Sequence, residues 1–158
     1  MKLREFVTSK SLVPLLVGTE RDGAIRELVD TLIAAGTAPA SVRDELVKLI
    51  IDREKKGSTG FGKGVAVPHV KHAKIKKMAA AIGNSQKGID FHALDKSPVY
   101  SVVLLLSPLD EPDEHLQAME CIFSNLQKDT FRRFLRQAGT VKEIQDLLEE
   151  ADNQQLQA

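Results

Sequence analysis

The stretch that most narrows the possible fold is Val99-Tyr100-Ser101-Val102-Val103-Leu104-Leu105-Leu106-Ser107, which carries no charge and is apolar at both odd and even positions of its centre. A strand sends successive side chains to opposite faces, so a run that is apolar on both faces has to be covered on both. Its apolar centre, Val102 to Leu106, is far shorter than the roughly 20 residues of a membrane-crossing helix. The segment is therefore predicted to be a central strand with helices packed on each side, the arrangement of an α/β protein.

The flanking segments supply those helices. Ile25, Leu28, Val29, Leu32 and Ile33 recur at helical spacing, with Thr19 or Asp22 as cap and Gly36 as stop. A second helix, capped by Ser41 with Asp44, buries Val42, Leu46, Val47, Leu49 and Ile50 and ends near Gly57. Pro112, Asp113 and Glu114 form the acidic first turn of a third, which holds His115 and turns Leu116, Met119, Ile122, Phe123 and Leu126 inward. Two more follow: one capped by Asp129 around Phe131, Phe134 and Leu135, and one opened by the capping box Thr140-x-x-Glu143 around Val141, Ile144, Leu147 and Leu148. Further strands are expected at Leu3 to Val7, at Leu12 to Val17, and at Met78 to Ile82, with Gly83-Asn84-Ser85 as the exit from the last. Residues 1–158 are read as one α/β domain, a mixed β-sheet flanked by helices on both sides, with its core over about 5–150 and a frayed tail from Asp152.

Composition removes several function classes. Lys plus Arg and Asp plus Glu are balanced at 22 each, so no bulk basic field favours nucleic acid as a partner. The single cysteine, Cys121, excludes an internal disulfide and sits in an apolar helical pattern, which fits packing in a reducing cytoplasm. The apolar run from Leu12 to Val17 is short and contains Pro14, so neither a signal peptide nor membrane insertion is expected.

The chemistry concentrates in Gly57-Ser58-Thr59-Gly60-Phe61-Gly62-Lys63-Gly64-Val65-Ala66-Val67-Pro68-His69. A P-loop would need a hydroxyl where Gly64 stands and a helix where Val65 to Pro68 run, and the dinucleotide-binding glycine spacing also fails. A glycine cluster alone would be a tight turn. Here it leads through an apolar strand to Pro-His, placing a titratable ring at the end of a rigid element, a combination that suggests phosphate chemistry. His69 is either that nucleophile or a ring that merely hydrogen-bonds the loop. Arg53, at i+7 from Leu46 and i+3 from Ile50, falls on the buried face of its helix and must find an anion or snorkel. His115 lies near a helix N-terminus, where anions are favoured and imidazolium is not. His72 and His92 read as surface residues. A metal site of His69 and His72 with His115 or Cys121 is disfavoured, because Pro68 argues against a helix aligning the rings and no carboxylate or C-x-x-C companion is present.

Arg53-Glu54, Gly57-Ser58-Thr59-Gly60, Gly62, and Gly64-Val65-Ala66-Val67-Pro68-His69 together resemble the active-site signature of the fructose/mannitol-type IIA domains of the phosphoenolpyruvate-dependent sugar phosphotransferase system. The resemblance continues through Gly88-Ile89-Asp90-Phe91, Ala93-Leu94-Asp95, Pro98-Val99, Leu104 to Pro108, and His115-Leu116, and covers about Leu12 to Leu148. It departs at Phe61 and Lys63 in the loop and at Val70-Lys71-His72 after the histidine. It implies that His69 accepts a phosphoryl group from an HPr-like phosphocarrier and passes it to a IIB component, with His115 and Arg53 beside it. Thr59, Gly60 and Gly62 would bind the phosphate, and no cofactor or metal is implied. Such chemistry is reasonable for these residues: a neutral imidazole can attack phosphorus, and guanidinium, N–H and hydroxyl donors can neutralise the equatorial oxygens. The alternative is a stand-alone regulatory IIA-like protein whose phosphorylation state controls target proteins, as in the nitrogen-related branch. A domain that has lost phosphotransfer is disfavoured by the intact Arg53, His69 and His115. No sugar is implied, because specificity resides largely in the IIB and IIC parts.

Overall fold

In the computed structural model, which describes residues 1–154, five strands form one mixed sheet: β1 (Leu12–Val13), β2 (Val65–Ala66), β3 (His69–His72), β4 (Ala79–Ile89) and β5 (Val99–Pro108). The α helices among the described residues are α1 (Arg21–Ala34), α2 (Arg43–Lys56), α3 (Pro112–Leu126), α4 (Asp129–Gln137) and α5 (Val141–Asp152). As its composition requires, β5 is internal. It pairs with β4 antiparallel on one edge and with β2 and β3 parallel on the other, and β1 runs parallel to the far side of β4. Val102, Leu104 and Leu106 pack into one cluster with Ile25, Leu28, Leu46 and Ile50 of α1 and α2. Val103 and Leu105 pack into a second with Ile122, Leu135, Ile144 and Leu148 of α3, α4 and α5. Burial of each such side chain stabilises the fold by about 1.5–3 kcal/mol, so neither helical layer can be dispensed with.

The edge beside β5 positions the histidine. Val65 and Ala66 pair with Ser101 and Val102, and His69 to His72 pair with Leu105 to Pro108. The register is the same on both sides of Val67-Pro68, so β2 and β3 are one strand line with an interruption. Pro68 has no N–H to donate, although its carbonyl still accepts from Leu105 N at 3.0 Å. His69 therefore opens β3 instead of ending a strand, and its ring is half-buried.

Other expectations are corrected. Leu3 to Val7 is not extended: Leu3–Glu5 is a 3-10 turn, because Leu3, Phe6 and Val7 all bury on the α3–α5 side. The carboxylate of Asp152 accepts the N–H groups of Leu3 and Arg4 at 2.7 and 3.1 Å, so Asp152 is fixed as the last residue of α5. The remainder of the expected frayed tail, residues 155–158, lies outside the described residues. The strand at Leu12 to Val17 shrinks to Leu12–Val13. Glu20, not Thr19 or Asp22, caps α1 by accepting Gly23 N at 2.9 Å. A 3-10 turn at Ala40–Val42 displaces the Ser41 cap, so α2 starts without a side-chain cap, and Asp129 is the first residue of α4 with Lys128 before it. Leu49, Leu116 and Phe134 face solvent, because each helix needs a narrower apolar stripe than its sequence offers. Of the expected Thr140–Glu143 capping box only the first half forms: Thr140 Oγ1 accepts Glu143 N–H at 3.1 Å, while the Glu143 carboxylate accepts the Thr140 hydroxyl and not its backbone N–H.

β4 also continues through Gly83-Asn84-Ser85 to Ile89, with a register shift between Asn84 and Ile89. Asn84 is polar and 4% exposed, yet fully used: its Nδ2 donates to the carbonyls of Leu135 and Ala138 at 2.7 and 3.2 Å, and its Oδ1 accepts from Ser101 Oγ at 2.9 Å. It gives the Ala138 carbonyl, just past α4, its donor and adds a second to the Leu135 carbonyl, which also accepts Ala138 N–H at 3.2 Å. Asn84→Ala is expected to lower the unfolding free energy by about 1–3 kcal/mol, measured by urea denaturation, because the Ala138 carbonyl and the buried Ser101 hydroxyl lose their partner. An unchanged midpoint would contradict that role.

Candidate functional site

The site begins with a buried carboxylate at the end of α2. Glu54 is 3% exposed and accepts the N–H of Thr59 at 3.1 and 3.3 Å to its two oxygens. Thr59 Oγ1 in turn accepts Val67 N–H at 3.2 Å, and the Val67 carbonyl lies 2.8 Å from His69 Nδ1. A carbonyl only accepts, so Nδ1 carries a proton, and in the neutral ring the lone pair is on Nε2. Three hydrogen-bonded steps thus carry the rigidity of α2 to the tautomer of His69.

The second ring comes from the other side of the same sheet edge. Ser107 follows Leu105 by one strand repeat and so shares its face, where the first turn of α3 brings His115 to it. His115 Nδ1 and Ser107 Oγ are 2.6 Å apart. Ser107 is fully buried, and among the described residues its hydroxyl has no other partner. The hydroxyl therefore donates to Nδ1, since the reverse would leave a buried O–H unsatisfied, and the His115 proton resides on Nε2. The two rings are 5.5 Å apart with planes inclined by 48°. Burial, followed by the charges of His69 and Lys71, holds the His115 pKa below the ordinary imidazole value. The result is the Nε2 side of His69 facing a ring whose Nε2 is an N–H donor.

The glycine loop is fastened on its outer side. Ser58 Oγ donates to the Phe91 carbonyl at 2.6 Å and accepts Gly60 N–H at 3.0 Å, while the Gly60 carbonyl accepts Leu94 N–H at 2.8 Å. A Cβ on Gly60 would come within 3.0 Å of the Ala93 Cβ, so only glycine permits this approach. Gly62 has φ +113°, and Lys63, also left-handed, gives its N–H to Asp95 Oδ2 at 3.1 Å. The N–H groups of Ser97 and Lys63 hold the Asp95 carboxyl below the usual carboxylate range.

Of the residues singled out from sequence, His69, His115 and Thr59 converge. Gly60 sits in the same loop, but its N–H is committed to Ser58 and not left open. Arg53 is exposed, its Nη1 donating to the Gly57 carbonyl at 2.7 Å, and no hydrogen bond joins it to either histidine among the described residues. The buried stripe Leu46, Ile50 continues to Glu54 at the next i+4 step, a signal present in the sequence but assigned to Arg53. His72 is not a surface residue: its Nε2 lies 3.2 Å from Glu45 on α2 and its Nδ1 accepts Lys74 N–H at 3.0 Å. His92 is exposed. Cys121 is half-buried, and burial pushes its thiol pKa up. No group of three ligating side chains occurs among the described residues.

Residues 5–151 match the family described as phosphoenolpyruvate-dependent sugar phosphotransferase system, EIIA 2. The chain belongs to this family. The EIIA relatives include the fructose-specific EIIA component of Haloferax volcanii, 32% identical over 130 residues that cover 82% of this chain and 83% of that one. They also include a nitrogen regulatory protein of Pseudomonas aeruginosa, 30% identical over 156 residues and covering 98% and 99%. Against the fructose-specific EIIABC component of Bacillus subtilis the identity is 30% over 152 residues, but the chain spans only 24% of that protein's length. The solved nitrogen regulatory protein IIA-Ntr of Neisseria meningitidis shares the EIIA fold with a TM-score of 0.81 and 25% identity, covering 91% of this chain and 97% of that one. EIIA domains are phosphoryl carriers of a phosphotransferase system, and two histidines in complementary tautomers suit that task.

The low His115 pKa has a signed consequence. Above the ordinary value of 6.5 the ring is neutral in folded and unfolded chains alike; below it the unfolded chain takes a proton that the folded site resists, so stability falls. His115→Asn should flatten this acid-side loss in urea midpoints recorded from about pH 8 to pH 5. Parallel curves for the two proteins would contradict the burial of a neutral ring.

Proposed function

We propose that His69 is the phosphorylated residue of this chain, receiving its group from an HPr-like phosphocarrier and passing it to a IIB component. The observation that carries this reading is the Val67 carbonyl on His69 Nδ1, which leaves Nε2 as the free nucleophile beside the His115 N–H. In the forward step the Nε2 lone pair forms an N–P bond as the N–P bond to the donor's histidine breaks, and the departing ring keeps the electron pair. The bond made resembles the bond lost, so transfer is reversible and the protein's work is positioning and charge neutralisation. His115 Nε2–H, the Thr59 hydroxyl hydrogen and the Arg53 guanidinium are assigned to the three equatorial oxygens. Thr59 accepts from Val67 while its own hydrogen stays available, and Arg53, tethered by one nitrogen to Gly57, has further N–H groups to offer. Gly60 and Gly62 serve phosphate binding by allowing the loop to take its shape. No helix among the described residues is long and apolar enough to cross a membrane, and the cytoplasm, where its phosphocarrier partners act, is the assigned location.

A second reading has its own support. The match with a nitrogen regulatory protein over 98% of this chain favours the regulatory IIA-like reading, in which the phosphorylation state controls target proteins. Both readings use the same His69. Mixing the phosphorylated protein with IIB components encoded nearby separates them by whether the phosphoryl group moves on.

Incubation with phosphoenolpyruvate, enzyme I and HPr should add one acid-labile, alkali-stable phosphoryl group, read by intact mass. His69→Ala should take none, while Arg53→Ala and His115→Gln should be labelled about 10- to 1000-fold more slowly, because they lose charge stabilisation and keep the nucleophile. An unlabelled wild-type protein would overturn the carrier reading, and normal rates in both slower variants would overturn their roles.

A further inference from the structure

A second concave site lies at the opposite end of β5. A cavity of about 440 Å³ opens between the loop leading to β2 and α4, lined by Lys63, Tyr100, Asp129, Arg132, Arg133 and Arg136. Ser101 on its floor precedes Leu105, the partner of His69, by four positions along β5, which is about 13 Å of strand. The chain has equal numbers of acidic and basic residues, so this concentration of cations is local.

The cations are not equivalent. Arg132 is satisfied internally, donating to the Leu126 carbonyl at 2.7 Å and pairing with Asp129, so that carboxylate is spent. Among the described residues no carboxylate lies within salt-bridge reach of Lys63, Arg133 or Arg136. Arg136 is nevertheless fixed: its guanidinium lies 3.4 Å from the centre of the Tyr100 ring. The ring is seated on two glycines, since a Cβ on Gly64 or Gly88 would approach it to 3.3 or 3.1 Å. A guanidinium stacked in this way keeps its edge N–H groups free for planar, bidentate contact with an oxyanion. The backbone of Lys63, which lines the cavity, is fixed by its left-handed conformation and its N–H bond to Asp95.

We propose that this cavity is a binding site for a phosphorylated small metabolite, whose phosphate is held by Arg136, Arg133 and Lys63. The volume falls within the range of small-molecule sites and encloses more than a flat basic face would. Arg133 lies over the ring of Phe134 at 5.3 Å, and three cations lining one cavity repel one another until an anion joins them. The site is separate from the two histidines yet touches the same loop, because Gly64, whose carbonyl accepts Tyr100 and Ser101 N–H at 2.8 and 3.1 Å, lines the cavity.

Tyr100 is the only tyrosine and the chain has no tryptophan, so its fluorescence reports on this site alone. Titration of the His69→Ala protein with inorganic pyrophosphate at low ionic strength should give a saturable change in Tyr100 emission, with amide shifts at Lys63, Gly64 and Arg136 by NMR. The paired substitution R133Q/R136Q, on exposed helix positions that leave the fold intact, should weaken binding at least about 10-fold by the NMR shifts, and Lys63→Gly, compatible with the left-handed backbone, by a smaller factor. No saturable change up to about 10 mM would overturn the proposal. So would undiminished binding in R133Q/R136Q, shifts confined to His69 and His115 neighbours in the wild-type protein, or a response to an oligonucleotide or polyglutamate but not to pyrophosphate.

Discussion

The 2.8 Å hydrogen bond from His69 Nδ1 to the Val67 carbonyl is the contact on which the proposed chemistry depends, because it determines which ring nitrogen can be free. It forms within three residues of chain and would be a poor constraint if Val67 could turn. Val67 cannot, since its side chain is fully buried and its own N–H is held by Thr59, which is held by Glu54. A carboxylate with 3% exposure is costly to bury unless its acceptors are used, and here its bond to Thr59 fastens the glycine loop to the end of α2. The glycines let the loop bend back far enough for this sequence of bonds to close.

The sheet makes the second half of the site. The break at Val67-Pro68 preserves register, so the ring of His69 emerges on the face where Ser107 and α3 present His115. One apolar strand serves both purposes: its even positions bury α1 and α2, and its odd positions lead from core to site. Placing His115 in a buried first turn keeps it neutral, because burial and the neighbouring positive charges both oppose protonation. A phosphoryl group on His69 would add negative charge beside the ring and favour the His115 proton.

Much of this was legible in the chain. The two-faced run from Val99 to Ser107 predicted a covered central strand, and helical spacing located all five helices among the described residues. The loop and its histidine were also plain, because glycines and Pro-His are local signals. What escaped were groups whose importance depends on a distant partner. Glu54 drew notice only as the neighbour of Arg53 in the signature, and only the position of Thr59 shows why it is inside. Ser107 looked like a strand end, and Val67 contributes a carbonyl that no side-chain pattern marks. Leu3 to Val7 was misread as a strand because its turn is stabilised by Asp152 at the other end of the chain.

In the proposed mechanism, hydrogen bonding within the chain directs phosphorylation to one nitrogen of His69. Phosphohistidine formed on uniformly nitrogen-15-labelled protein can be assigned from the nitrogen–phosphorus couplings and the ring carbon correlations of the modified residue. The structure predicts phosphorus on Nε2, with the Nδ1 proton still protected from exchange by the Val67 carbonyl. Phosphorus on Nδ1 would contradict the account, because that bond would have to break first.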